Sequence, residues 1–204
     1  ERILLYVHFN KYKLVSNHVF YQLEQLKPLF SKILFISNSH IEEATKKKLQ
    51  DEFGISNLLE RDNHGYDFAA WRDGMKTIGF EELKNYDSLT LMNDTCFGPL
   101  WDLEPIYKRF EADTQVDFWG MTNFRKTRYF EEHLQSYFVT FKQQILRAIS
   151  FQEFWTKVKD FTDVQDVIDH YETKFTQYFT GAGFTYQALF DTRLEEVADL
   201  IHPD

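Results

Sequence analysis

Short apolar runs alternate with polar stretches of helical spacing through the first half of the chain. Ile3-Leu4-Leu5-Tyr6-Val7-His8-Phe9 reads as a buried strand, and Ile33-Leu34-Phe35-Ile36 as a second. Between them Ser16 can cap a helix running to about Lys27, with Pro28 near its end. Ser39-His40-Ile41-Glu42 has the form of a capping box, and the helix it opens should stop at Gly54. Ile55 to Leu59 fits a short third strand, Asp67 a cap for a helix to about Thr77, and Leu89 the centre of the next strand.

Beyond it, Asp102 with Pro105 in the first turn predicts a helix, and Val116-Asp117-Phe118-Trp119 a strand. Gln135 to Phe141 alternates less cleanly and reads as another strand. Ser150-Phe151-Gln152-Glu153 repeats the capping-box form. A helix from Asp163 to about Thr180 should end before Gly181 and Gly183, with Phe184 to Leu189 as a last strand. Alternating strand and helix imply right-handed βαβ units, and so an α/β fold with a mainly parallel twisted sheet flanked by helices. The C-terminal part is more helical. No repeat or Pro/Gly/Ser-rich linker interrupts residues 1–204, so one continuous domain is expected.

In such a sheet the residues just after each strand converge on one edge, where ligands bind. Four segments qualify: His8-Phe9-Asn10, Ser37-Asn38-Ser39, Asn63-His64-Gly65-Tyr66-Asp67 and Asn93-Asp94-Thr95. Their amides, hydroxyls and carboxylates suit a nucleotide's base edge and ribose. Each alone reads equally as a turn, because Asn, Asp and Thr favour turns. Asp94 could hold a divalent cation, and Asn93 could hydrogen-bond a ribose or phosphate. No GxxxxGK[ST] or GxGxxG loop is present, so phosphates would need a metal at Asp94 or Arg72 and nearby cations. Gly65 permits close backbone approach or positive φ. His133 at a strand start reads either as structural or as a ligand for metal or acceptor. Glu172 reads either as a solvated helical carboxylate or as a general base. No glycine-flanked nucleophile supports a hydrolase.

Composition narrows these options. A formal net charge of -9 argues against a general nucleic-acid binder and against electrostatic attachment to anionic lipid. Lys46-Lys47-Lys48 reads as the solvated face of a helix. Aromatics make up 18% of the chain, with 21 Phe and 11 Tyr, which suits an aromatic core with some rings free to line a sugar or base site. The single cysteine, Cys96, excludes an internal disulfide framework and Cys-based zinc clusters. No stretch has the length and apolarity of a membrane span, and none has the form of a signal peptide. Glu1 leads straight into a strand pattern, as expected of a piece of a longer protein.

Taken together, these segments resemble the rhamnan synthesis protein F family of bacterial glycosyltransferases. Four stretches carry the resemblance, in this order: Asn63-His64-Gly65-Tyr66-Asp67-Phe68-Ala69-Ala70-Trp71-Arg72-Asp73-Gly74; Leu91-Met92-Asn93-Asp94-Thr95-Cys96-Phe97-Gly98-Pro99-Leu100; Asp117-Phe118-Trp119-Gly120-Met121-Thr122; and His133-Leu134-Gln135-Ser136-Tyr137-Phe138. The resemblance implies a GT-A-like (Rossmann-like) fold that binds a nucleotide-sugar. The implied donor is dTDP-L-rhamnose and the implied product a rhamnose-containing cell-wall or surface polysaccharide. Asn93-Asp94-Thr95 lies where such enzymes carry Asp-x-Asp, whose last acidic residue helps hold Mg²⁺ or Mn²⁺ on the diphosphate. Here one carboxylate replaces two, which leaves metal dependence open.

Tyr171-Glu172-Thr173, with Gly183 and Phe184 beyond, is similar in spacing to the Glu-Asp of inverting family-2 glycosyltransferases. Thr173 replaces the Asp, so Glu172 would be the base alone, with inversion at C1. The expected site follows. His8, Asn10, Asn38, Asn63, Gly65, Asp67, Arg72 and Asn93 would hold the nucleotide-sugar, and Asp94 the divalent cation. Glu172 and His133 are the candidate catalytic residues, and Trp119 and Gln135 lie on the acceptor side. The expected partners are the donor, a glycan or lipid-linked glycan acceptor, and other domains of a parent protein. No nucleic acid is expected, and membrane contact only through the acceptor. The expected place is the cytoplasm or the inner face of the cell membrane. Two alternatives remain: a GT-A enzyme using another donor such as a UDP-hexose, and a non-catalytic module that binds carbohydrate or nucleotide.

Overall fold

The computed structural model describes residues 1–9, 15–95 and 103–191. Its first half contains β1 (Arg2–His8), α1 (Asn17–Leu26), β2 (Lys32–Ser37), α2 (Glu43–Phe53), β3 (Asn57–Glu60), α3 (Tyr66–Ile78), a one-turn α4 (Phe80–Leu83) and β4 (Ser88–Asn93). The second half contains α5 (Leu103–Ala112), β5 (Phe118–Phe124), the short β6 (His133–Leu134), β7 (Phe138–Lys142), α6 (Gln143–Leu146) and α7 (Ile149–Thr156). It continues through α8 (Val164–Val167), a π-helical turn (Ile168–Glu172), α9 (Phe175–Gly181) and β8 (Tyr186–Phe190).

The strands form one sheet in the order β3-β2-β1-β4-β7-β5-β6, with β8 also paired to β5. The β3, β2, β1 and β4 strands are mutually parallel. β7 runs antiparallel between β4 and β5, and β8 lies parallel to β5. Side chains alternate across the sheet as strand geometry requires. Ile3, Leu5 and Val7 face a core shared with Phe68 and Trp71 of α3, Trp155 of α7 and Phe179 of α9. Leu4 and Tyr6 face a second core with Leu23 of α1, Phe53 of α2 and Phe110 of α5. β1 is buried on both faces, which is why its sequence is a continuous apolar run.

Several expected element ends lie elsewhere. Gly54 does end α2, with φ 66 and its N–H bonded to Gln50. Ser39 does not cap that helix; α2 starts after Glu42, and Ser39 instead turns back on the Ser37 hydroxyl. Ser150 lies inside α7, whose N-cap is Ala148. Asp163 does cap its helix, accepting from the Gln165 N–H at 2.9 Å, but the long helix expected beyond it breaks at the π-helical turn. Gln135 to Tyr137 precede β7 rather than belong to it. The expected helix start at Asp102 lies outside the described residues, as does Cys96.

Asp67 is not the cap of α3 either. Gly65 (φ 73) and Tyr66 (φ 52) form consecutive left-handed residues, and Gly65 is the N-cap. Gly65 is required twice over. Its φ disfavours any L side chain, and a Cβ there would stand 2.3 Å from the Ala69 Cβ and 3.0 Å from the Asp160 Cα. Tyr66 holds the same backbone region despite a bulky side chain, a costly conformation that tends to occur at functional sites. The result is that Asp67, in the first turn, projects into the crevice beyond the sheet.

Candidate functional site

β2 and β4 flank β1, and the chain crosses to opposite faces of the sheet to reach them. The C-terminal ends of β1 and β4 therefore border a topological switch point. The backbone knits this edge together: Asn38 N–H bonds to His8 O at 2.8 Å, and Asp94 N–H to Val7 O at 3.1 Å. A cleft of about 520 Å³ opens there, of the size small-molecule sites commonly have. Asn38, Asn63, Asp67, Asn93, Asp94, Gln135 and Glu172 all line it. Segments far apart in the chain thus meet on one rim, with Asn38, Asn63 and Asp94 on the walls of the same cavity.

Asn93 spends both ends of its amide on its neighbours. Its Nδ2 donates to Asp67 Oδ2 at 3.0 Å, and its Oδ1 accepts from the Thr95 N–H at 3.1 Å and from the Thr95 hydroxyl. Asn93 therefore orients Asp67. Burial pushes the Asp67 carboxyl up to about 6; the Asn93 hydrogen bond opposes the shift, and the charges of Asp94 and Glu172 add to it. Burial likewise raises Asp94, against the charge of His8 and the Phe9 N–H at 3.3 Å. Burial raises Glu172 as well, although its carboxylate accepts from both the Ser136 hydroxyl and the Ser136 N–H, the latter at 3.0 Å.

Three carboxylates of raised proton affinity thus face one cavity, and no Lys, Arg or His is among its described lining residues. Hard oxygen donors of this kind suit Mg²⁺ or Mn²⁺, with a substrate phosphate completing the coordination. Among the described residues, no three His, Cys, Asp or Glu side chains form a ready metal cluster. A cation bound here would be shared with a ligand rather than caged by these residues.

The remaining expected residues fall elsewhere. His8 is buried beside the cleft, with its ring stacked on Phe35 at 5.6 Å. Gly65 shapes the start of α3. Arg72 does not face the cavity; its guanidinium is held by Asp73, the Val158 carbonyl and Asp160 at 2.6–2.9 Å. That network withdraws it from any diphosphate in the cleft. Trp119 is 1% exposed, packed on Phe110 at 4.5 Å and Tyr107 at 5.1 Å, so it cannot cover a sugar face. His133 is buried against Phe124 at 5.4 Å and does not line the cavity, although its charge reaches Glu172. Asn10 lies outside the described residues.

Phe9 and Tyr66 stand within the expected strand-end segments and Ser136 within a stretch of the resemblance, but no role is expected of them from the sequence, and all three line the cleft; Arg61, which supports it, falls outside those segments. Arg61 directly follows β3, so the strand-end rule that picked Asn38 and Asn93 would have reached it had the third segment begun two residues earlier. Ser136 carried no signal of its own.

Two curated relatives are similar in sequence. The uncharacterized protein y4gN of Sinorhizobium fredii is 28% identical over 173 residues, covering 84% of this chain and 44% of its own. The virulence protein VirA of Vibrio anguillarum is 29% identical over 135 residues, covering 65% of this chain and 41% of its own. The chain thus spans less than half the length of either relative. In fold the chain is similar to HddC from Yersinia pseudotuberculosis, with a TM-score of 0.52 and 11% identity over 93% of this chain and 89% of that one. The galactosyltransferase LgtC, solved with donor and acceptor sugar analogs, aligns at a TM-score of 0.47 and 14% identity over 90% and 72% of the two chains. The architecture is the GT-A-like α/β sheet flanked by helices that the strand and helix pattern and the resemblance lead one to expect. The model of the family "RgpF: Rhamnan synthesis protein F" matches residues 33–204, and this chain belongs to that family.

Proposed function

We propose that the chain is the nucleotide-sugar-binding domain of a glycosyltransferase that moves L-rhamnose from dTDP-L-rhamnose to a growing surface or cell-wall polysaccharide, with inversion. The observation that carries this reading is the meeting of Asn38, Asn63, Asp67, Asn93, Asp94 and Glu172 around one cleft at the switch point of a GT-A-like sheet. Membership of the rhamnan synthesis protein F family supports the sugar.

Asn38 and Asn63 would bind the nucleoside. Asp94, with Asp67 oriented beside it by Asn93, would hold a divalent cation. Such a cation neutralises the donor's diphosphate and the charge that grows on it as the sugar departs. Glu172 would take the proton from an acceptor hydroxyl near Gln135. The hydroxyl oxygen then bonds to C1 as the C1–O bond to the diphosphate breaks, and the nucleoside diphosphate leaves with that electron pair. Burial makes Glu172 a stronger base, and its two hydrogen bonds from Ser136 oppose that shift.

Transfer assays with a panel of nucleotide-sugars test the proposal. Asp94→Ala should abolish most transfer with the fold intact, and Glu172→Gln should reduce turnover by at least about a hundredfold, the usual scale of a lost general base. Full transfer by Asp94→Ala would remove the cation assignment. Near-normal turnover by Glu172→Gln would place the base elsewhere. Preference for a UDP-hexose would keep the reaction and change the donor. Glycan binding without any transfer would make the chain a binding module.

A further inference from the structure

Asn38 is 4% exposed, yet its side chain lines the cleft. Its Oδ1 accepts a hydrogen bond from Arg61 Nη1 at 2.7 Å. Arg61 is itself locked on every side. Its Nε binds Asp73 at 2.8 Å, its Nη2 binds the His64 carbonyl at 2.7 Å, and its backbone N–H binds Ser37 O at 2.9 Å. A guanidinium has donors and no acceptors. The Asn38 amide can therefore face Arg61 only with its oxygen, which leaves the Nδ2 donors as the end of the amide available to a ligand in the cleft that Asn38 lines. Phe9 stands beside it: β1 and β2 are paired up to His8 and Ser37, and the Asn38 N–H continues the ladder to His8 O. Phe9 is 47% exposed, a large ring left open at the cavity mouth.

We propose that Phe9, Asn38 and Arg61 form a nucleobase reader that selects an exocyclic oxygen over an amine, and so favours thymine or uracil over cytosine. This deepens the donor-site reading above and rests on it. The Phe9 ring supplies a face on which a flat base stacks. A pyrimidine joined to its ribose through N1 enters a pocket with the opposite edge first, which is C4. At the buried wall that edge meets Asn38 Nδ2. The O4 of thymine or uracil accepts from it, whereas the N4 amine of cytosine would confront donor with donor and leave both unpaired. A buried donor left unpaired is the strongest source of discrimination a small site has. Arg61 is a positioning residue: it touches no base and fixes which end of the amide faces one.

The test is calorimetric titration of the intact chain with dTDP, UDP and CDP in the presence of Mn²⁺. The wild type should bind dTDP and UDP at least about tenfold more tightly than CDP, the scale of one lost buried hydrogen bond. Asn38→Asp keeps an oxygen on Arg61 as an ion pair, so thermal stability should hold. It offers the base only an acceptor, so the UDP-to-CDP ratio should fall to one or invert. Arg61→Met frees the amide to rotate and should bring the ratio within about threefold while CDP binding persists. A purely structural Arg61 would weaken all three ligands equally and leave the ratio unmoved, which would overturn the proposal. Equal UDP and CDP binding by the wild type would overturn it too, while leaving the donor site in place. Absence of binding to any of the three would overturn both readings.

Discussion

Asp67 offers the sharpest test of the site's electrostatics. Its carboxyl is pushed from 3.8 to about 6 by burial, with Asp94 and Glu172 repelling its charged form. The native state therefore holds this proton more tightly than the unfolded chain does. The stability this confers is fully present below pH 3.8 and is lost as pH rises through about 6. A shift of this size corresponds to about 3 kcal/mol of destabilisation at pH 7.5 relative to a neutral side chain. Asp67→Asn removes the charge and keeps an oxygen for Asn93 Nδ2. At pH 7.5 the variant should gain about 1–3 kcal/mol, or roughly 3–10 °C in Tm for a domain of this length. The gain should shrink to within about 0.5 kcal/mol near pH 4. Mn²⁺ should raise the Tm of the wild type more than that of the variant, because a cation relieves the repulsion that the variant lacks. Differential scanning calorimetry across pH 4–8, with and without Mn²⁺, reads all three effects. A variant less stable than wild type at pH 7.5, or a gain that ignores pH, would refute the reasoning.

Ser136→Ala removes the hydroxyl that opposes the upward shift of Glu172, so the acid limb of the transfer pH profile should move to higher pH with turnover at alkaline pH retained; an unmoved limb would dissociate Glu172 from the base role. Gly65→Ala forces a side chain into a φ of 73 and against the Ala69 Cβ, and should cost at least about 2 kcal/mol by chemical denaturation, whereas Gly54→Ala, with open space around it, should cost about half as much. Trp119→Ala should lose about 3–5 kcal/mol of stability as a core deletion, and a milder Trp119→Phe should leave acceptor KM unchanged, since the ring never reaches the cleft.

Some of this molecule can be read from the chain, and some cannot. β1 and β2 are unbroken apolar runs because both their faces are covered, and burial on two sides needs no partner to be recognised. Gly54 ends α2 by local geometry alone. Asn38, Asn63 and Asp94 could be assigned to one rim because strand ends in a parallel sheet share an edge. Other features depend on tertiary partners. Asp67 reads as a helix cap because its type favours caps, but the left-handed Gly65 and Tyr66 move the cap upstream and release its carboxylate to the cleft. Glu172 sits on a π-helical turn inside what reads as one long helix, and that turn brings Ile168 and Glu172 to the cavity wall. Arg72 and Trp119 have the right chemistry for a sugar-nucleotide site, but Asp160 claims one and the second core claims the other. The place of β7 between β4 and β5 depends on antiparallel pairing across the sheet, which periodicity does not encode.

The candidate site contains every element of its own test. Crystallisation of the domain with a nucleoside diphosphate and Mn²⁺ provides it. Anomalous diffraction at the manganese edge locates the metal directly. A single strong peak is expected between the Asp94 and Asp67 carboxylates and the diphosphate, with the base against Phe9 and Asn38. A peak on another part of the surface, or a nucleotide bound away from the β1–β4 crevice, would contradict this placement.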